Sequence, residues 1–237
     1  MSSTPRQLVL DLPHRPALGS EDFIVSASNA PALRLVEAWP GWPHPVLVIA
    51  GPAGSGKTHL VNVWRRQTGA ALLAAAALDD AAAMIEAEHR AVAIEDADRG
   101  IGSERAFFHL MNLTREQGLT LLLTGRTAPG EWRIGLPDLR SRLRACPVAS
   151  LGEPDEALLL QVLIKLLHDR QLAATPAAIT YLARHLDRSM AAALAVVGAL
   201  DRLLWDKPSE ITREVARRAL LEIGKGDGTE AGEADTD

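Results

Sequence analysis

Apolar residues in this chain fall into two textures. Up to about residue 151, short continuous apolar runs alternate with stretches of helical period: PVLVIA (45–50), a helix from Thr58, ALLAA (71–75), a helix over 79–89, AVAI (91–94), a helix from Ser103 to Gln117, and LTLLLTG (119–125). Runs of this length without polar alternation read as strands buried on both faces, so the order strand, helix, strand predicts a parallel sheet with helices on both sides. Ser103 is an N-cap residue and Gly118 a helix stop, which frames one of these helices by local chemistry. Beyond Leu151 the strands cease. Pro154, Pro176 and Ser189 open three helical patterns, and Thr212 caps a fourth that ends at Gly224. The predicted architecture is an α/β domain over 23–151 followed by a small all-helical domain over 152–224.

Two end segments fit neither texture. Residues 1–22 are rich in Pro, Ser and charge and read as a flexible leader. Within it Leu8, Leu10 and Leu12 alternate with Gln7, Val9 and Asp11, so an extended leader carries leucine along one side. Residues 225–237, KGDGTEAGEADTD, are acidic and Gly-rich with no large apolar side chain, and are expected to be disordered.

Composition narrows the function classes. A chain of 237 residues, 47% of them hydrophobic, has enough apolar surface for one full domain and a smaller one. A net charge of −5 does not supply the general basic field on which sequence-independent nucleic-acid binding depends. Cys146 is the sole cysteine, which excludes an intramolecular disulfide and a cysteine-cluster metal site and suits a reducing cytoplasm. It reads as a small buried apolar residue rather than a nucleophile. No apolar stretch reaches the ~18 residues of a membrane span, so a soluble cytoplasmic protein is expected.

The chemistry is concentrated behind the strands. GPAGSGKTH (Gly51, Pro52, Ala53, Gly54, Ser55, Gly56, Lys57, Thr58, His59) follows PVLVIA directly, opens a helix, and matches the phosphate-binding P-loop pattern G-x-x-x-x-G-K-[ST]. Glycines let backbone N–H groups converge on phosphate oxygens, Lys57 brings a positive charge to the β/γ-phosphates, and the Thr58 hydroxyl is a ligand for Mg²⁺. A P-loop of this kind works with an acid at the end of a neighbouring strand. AVAIEDAD supplies Glu95 and Asp96 at that place, as a metal and water-positioning pair or as a solvated turn. Thr124 ends the strand LLLT, where it either reaches the γ-phosphate and attacking water or caps the strand. In LPDLRSRLRACP, Arg140 and Arg144 share one side of a helical segment while Arg142 points elsewhere. An arginine at a domain edge is either part of a solvated face or a group that reaches a nucleotide held by another subunit.

Taken together, the leader Q-L-x-L-x-L, EDFIVSASNAPAL, the P-loop, the acidic strand end, LLLTGRTAPGEW, GLPDLRSRL and LDRSM occur in an order that resembles the DnaA clade of AAA+ ATPases over nearly the whole of 5–223. The resemblance is to those members that regulate bacterial replication initiation. It implies an AAA+ αβα sandwich with a helical lid, ADP or ATP as cofactor with Mg²⁺, and Phe23 to Asn29 near the adenine. It further implies Arg142 as an arginine finger acting in trans, Arg188 as a lid arginine touching nucleotide, and Thr124 in the sensor strand. Gln7, Leu8, Leu10 and Leu12 would bind the sliding clamp of DNA polymerase, and DnaA would be the second partner.

The chain departs from the family pattern twice. The acidic strand end usually begins with Asp but here reads Glu95-Asp96, and Arg126 stands where Asp is common, so weak or absent ATP hydrolysis by the chain alone is expected. DnaA itself continues into a helix-turn-helix domain, whereas this sequence turns acidic after Gly224, so direct sequence-specific DNA binding is not expected. Two other functions fit the same residues: an autonomous AAA+ ATPase of clamp-loader or helicase-loader type, and a nucleotide-stabilised adaptor that links DnaA to the clamp. A homodimer burying the leucine face is also compatible.

Overall fold

Strand residues of alternating orientation build two cores from a single sheet. The computed structural model describes residues 23–79, 89–205 and 209–226. Its elements run α1 (Ala30–Glu37), β1 (Val46–Ala50), α2 (Lys57–Thr68), β2 (Ala71–Ala74), β3 (Ala91–Glu95), α3 (Glu104–Glu116), β4 (Thr120–Gly125), α4 (Pro137–Arg144) and β5 (Val148–Ser150). The helices α5 (Glu156–Asp169), α6 (Pro176–His185), α7 (Met190–Leu204) and α8 (Arg213–Gly226) follow. The five strands are all parallel and lie in the order β2-β3-β4-β1-β5.

Each strand splits its side chains between the two faces, as a period of two requires. Val46, Val48, Val92, Ile94, Leu121 and Leu123 pack with Phe107 and Leu110 of α3 and Leu139 and Leu143 of α4. Leu47, Ile49, Ala91, Ala93 and Leu122 point the other way, onto Ala32, Leu33 and Val36 of α1 and Leu60 and Trp64 of α2. Continuous apolar strands are thus explained by helices on both faces, the αβα sandwich expected from the sequence.

Local chemistry sets the helix starts. Side-chain caps close α3, α5, α6 and α7 at Ser103, Asp155, Thr175 and Ser189, each accepting a hydrogen bond from a first-turn N–H. For α5 the cap is Asp155 rather than the preceding proline, and the Leu158 N–H donates to its Oδ1 at 2.7 Å. The four C-terminal helices pack around their own core, centred on Leu159, Leu163, Leu182, Val196 and Leu200. Thr212 caps α8 weakly, with Val215 N–H donating at 3.5 Å, and α8 runs to Gly226, two residues past the expected stop.

Two elements go beyond those expected: α1, which opens with Pro31 in its first turn and buries Ala32, Leu33 and Val36, and β5, whose three residues pair with β1. Most of the helix expected over 79–89, the leader with Gln7, Leu8, Leu10 and Leu12, and nearly all of the acidic tail lie outside the described residues. Among the described residues no helix is long and apolar enough to cross a membrane.

Leu122 tests the sandwich, because it is fully buried at the centre of β4 against Trp64's cluster. Leu122→Ala is expected to lower stability by about 2–5 kcal/mol, read as a reduced urea midpoint with an unchanged slope.

Candidate functional site

The order of the strands decides what can meet. β4 lies between β1 and β3, with Ile49 opposite Thr124 and Ile94 opposite Leu123, so the loop after β1 and the turn after β3 flank the end of β4. The chain leaves β1 for the far edge of the sheet and returns through β3 and β4, which makes the C-terminal edge at β1 a switch point of the kind that binds ligands.

The loop itself is built on glycine. Gly54 has φ of 73° and Gly56 a φ of 99°, both in the region that favours glycine. A Cβ at Gly51 would stand 2.4 Å from the Leu151 carbonyl oxygen, and one at Gly54 would stand 2.5 Å from Ser189 Cβ. Across that second contact the Met190 N–H donates to the Gly54 carbonyl at 2.8 Å, so the loop touches the start of lid helix α7 directly. Gly56, the N-cap of α2, offers no side-chain hydrogen bond to the N–H groups of the first turn. A helix start whose first-turn N–H groups meet no capping side chain favours an anion. The buried Ser55 hydroxyl has no hydrogen-bond partner among the described residues.

Lys57 is almost fully buried, and its Nζ donates to the carbonyls of Gly51 at 2.7 Å and Pro52 at 2.8 Å. Burial lowers its pKa; Asp96 and Asp98 oppose that effect, and Arg126 adds to it. Thr124 is buried at 1% exposure, and its Oγ1 accepts from the Asp96 N–H at 3.1 Å. The Thr124 carbonyl accepts from the Ala97 N–H at 2.9 Å, so one residue grips the whole turn after β3. Asp96 takes φ of 57°, a conformation tolerated by Asp better than by most side chains, and its carboxylate lies 3.6 Å from Arg99.

Several of these pieces line one cleft of about 560 Å³ between the sandwich and the lid. Its lining comprises Phe23, residues 53–59, Asp96, Arg99 and Arg126 from the sandwich, together with residues of the helical domain, among them Leu158, Leu194, Lys165, Asp169 and Arg170. Phe23 meets the His59 ring edge-on at 5.2 Å, beside a turn closed by Asn29, whose Oδ1 accepts from the Ser26 N–H and whose Nδ2 donates to the Ile24 carbonyl. The lining thus combines apolar side chains such as Phe23, Leu158, Val162 and Leu194 with charged ones such as Lys57, Asp96, Arg99 and Arg126, which suits a ligand with an apolar part and an anionic part.

Other residues singled out in the sequence lie elsewhere. Gly51, Pro52 and Thr124 stand behind the cleft rather than lining it, and Glu95 ends β3 opposite Ala74 of β2. Arg188 is exposed beside the Ser189 cap and is not among the lining residues, whereas Met190 and Ala191 are. Arg142 also lies outside the cleft: its Nη1 donates to Asn112 Oδ1 at 2.6 Å and its guanidinium sits 4.7 Å above the Phe108 ring. Arg99, Asp98 and the lid's Lys165, Asp169 and Arg170 went unnoticed in the sequence. The signal for the first two was the length of the acidic turn, AIEDADR, read only to its second acid. Among the described residues no group of three or more His, Cys, Asp or Glu is arranged to hold a metal by itself.

No family model and no curated protein sequence matches this chain. Solved structures do match. Domain III of the Thermotoga maritima replication initiation protein DnaA superposes with a TM-score of 0.71 at 21% identity, over 89% of this chain and 98% of that one. AMPPCP-bound DnaA from Aquifex aeolicus gives 0.64 at 22% identity, over 90% of this chain and 71% of that one. The Thermotoga maritima RuvB Holliday junction branch migration motor gives 0.66 at 18% identity, over 80% of this chain and 66% of that one. At these identities the likeness is one of fold: a parallel five-stranded sheet with helices on both faces, followed by a small helical domain.

Two measurements check the local geometry. Gly54→Ala places a side chain at positive φ and against Ser189, and is expected to cost about 1–3 kcal/mol in urea unfolding. Burial pushes the Cys146 thiol up to about 11, so at pH 8 only about one molecule in a thousand carries thiolate there. A disulfide reagent is expected to leave native protein unlabelled at pH 8 and to label it fully once urea exposes the residue.

Proposed function

We propose that this chain is a nucleotide-binding regulator of replication initiation of the Hda type, which binds the sliding clamp and stimulates hydrolysis of ATP held by DnaA. The observation that carries this reading is the separation of Arg142 from the chain's own cleft: its guanidinium is fixed on α3, where it serves no nucleotide of its own. An arginine so placed is suited to a nucleotide bound by another subunit, and in GTPase systems such a group is worth ~10³–10⁵ in rate. The fold likeness to DnaA domain III makes an AAA+ pairing between the two chains geometrically natural.

The chain's own cleft would hold ADP or ATP. Residues 53–58 would cradle the phosphates with Lys57, and Phe23 would border the base. Mg²⁺ fits the donor set, because it takes one or two protein oxygens and draws the rest from phosphate and water; Thr58 and Asp96 line the same cleft and supply those two. Glu95, at the end of β3, would support the metal's charge from behind. Arg188 would reach the nucleotide only by extending from the Ser189 cap toward the cleft. Gln7 would fix the register of the leader on the clamp, with Leu8, Leu10 and Leu12 seated in its apolar groove, a mode in which an extended peptide places alternate side chains in pockets.

One observation favours a second reading, an autonomous ATPase. Asp96, Lys57 and Thr58 line one cleft, and Thr124 holds the Asp96 turn in place, which are the parts that water-driven hydrolysis requires.

A three-component assay separates these readings: DnaA–ATP, clamp loaded on DNA, and this protein as wild type, Arg142→Ala, or Leu10→Ala with Leu12→Ala. The proposal expects at least a hundredfold loss of stimulation with Arg142→Ala at unchanged clamp binding, and loss of clamp binding in the leucine variant. Full stimulation by Arg142→Ala would leave an adaptor in which the leader alone matters. Turnover by the protein alone that disappears with Lys57→Ala would establish the autonomous ATPase.

A further inference from the structure

The cations lining the cleft differ in what holds them. Lys57 Nζ donates to the Gly51 and Pro52 carbonyls, Arg99 lies 3.6 Å from Asp96, Lys165 lies 2.8 Å from Asp169, and Arg170 lies 3.9 Å from Asp201. Arg126 lines the same cleft, yet among the described residues its side chain has neither a hydrogen bond nor an ion pair.

Its backbone, by contrast, is fixed on both sides. Gly125 ends β4 with its carbonyl accepting from the Gly51 N–H at 3.2 Å, so Arg126 starts beside the first residue of the P-loop. Trp132, buried at 5% exposure, packs so close to Gly125 that an added Cβ would stand 2.9 Å from its ring. The Trp132 Nε1 donates to the Thr127 carbonyl at 2.9 Å. The residues before and after Arg126 are therefore both braced, and a side chain mounted on a braced backbone is restricted in where it can reach. That reach includes the surroundings of Lys57. Burial lowers the Lys57 pKa, Asp96 and Asp98 oppose that effect, and Arg126 adds to it, so the two cations feel each other's charge. An arginine mounted in this way beside a second cation, with no acid of its own, is electrostatically unfavourable until an anion lies between them.

We propose that Arg126 is a phosphate-binding residue of the chain's own cleft, whose guanidinium takes the β- or γ-phosphate together with Lys57 and neutralises it whether or not a divalent cation is bound. This rests on the reading of the cleft as a nucleotide site. A guanidinium suits the task, because its planar fork gives one phosphate two parallel N–H donors and stays charged at any working pH. Lys57 offers only a point charge, and its burial works against that charge. Asp96, the acid that lines the cleft from the sheet side, is partnered by Arg99. Much of the positive charge facing the phosphates thus comes from side chains.

Calorimetric titration of the purified protein with AMP, ADP and ATP, each in Mg²⁺ and in EDTA, tests this assignment. Arg126→Gln is expected to weaken ADP and ATP by about tenfold or more and AMP by less than about twofold, since the lost charge-assisted bonds go to phosphates beyond the first. The loss should be at least as large in EDTA, where the wild type keeps most of its ADP affinity. Arg126→Lys, which retains the charge without the fork, should fall between the two. Without nucleotide the melting temperature of Arg126→Gln should equal or exceed that of wild type, because an exposed side chain with no partner is removed, while the rise on adding ADP should shrink. Arg133→Gln removes the same charge from an exposed position outside the cleft lining and should change none of the affinities. Wild-type affinity of Arg126→Gln for ADP and ATP, an equal loss for AMP, or wild-type ADP binding abolished by EDTA would overturn the assignment. Failure of the wild type to bind any of the three nucleotides would overturn the reading of the cleft and the assignment with it.

Discussion

The close approach of the 51–56 backbone to its two neighbours is the constraint on which the cleft depends. Gly51 lies against the Leu151 carbonyl, where the chain leaves the sheet for the lid, and Gly54 lies against Ser189, where α7 begins. No side chain fits at either place, so the loop is gripped from both sides by backbone and by a cap residue. The loop is therefore also the place where sandwich and lid are in contact, through the bond from Met190 N–H to the Gly54 carbonyl. A ligand seated on this loop bears on the lid without any intermediary.

Charge at the cleft floor follows from the sheet order. Because β4 lies between β1 and β3, Thr124 can reach across to the Asp96 N–H, and Asp96 is turned into a conformation that brings it to the cleft beside Lys57. Arg99 and Arg126 line the same cleft, and Arg126 repels the charge on Lys57 although Asp96 and Asp98 act more strongly in its favour. Polyphosphate would relieve this repulsion, and cations clustered about an anion in a partly water-excluded site interact more strongly than they do in bulk water.

Much of this was legible in the sequence because the signals were local. Apolar runs without alternation marked four of the five strands, cap residues such as Ser103 and Ser189 marked helix starts, and GPAGSGKTH carried both its motif and its setting. What escaped was set by distance along the chain. β5 is too short to show a period, and it becomes a strand only by pairing with β1, a hundred positions upstream. Lys165, Asp169 and Arg170 read as the polar side of a helix, and only the closing of the lid over the sheet turns them toward the cleft. Asn112 and Arg142 are 30 residues apart, and nothing in either segment alone announces the other.

The cleft and Arg142 are held on one frame despite being separate. From Arg142 the chain passes through Cys146, whose backbone N–H bonds back into α4 at Leu143, and then directly into β5. β5 pairs with β1 in register, and Leu151 at its end both donates to the Ala50 carbonyl and presses on Gly51. Only a short helix end and a three-residue strand therefore lie between Arg142 and the P-loop, with no long loop to absorb displacement. Sites carried on regular elements are positioned more accurately than sites on loops, and the role in trans proposed for Arg142 would need that accuracy more than reach. Asn112 and Phe108 of α3 hold the guanidinium where that frame has placed it.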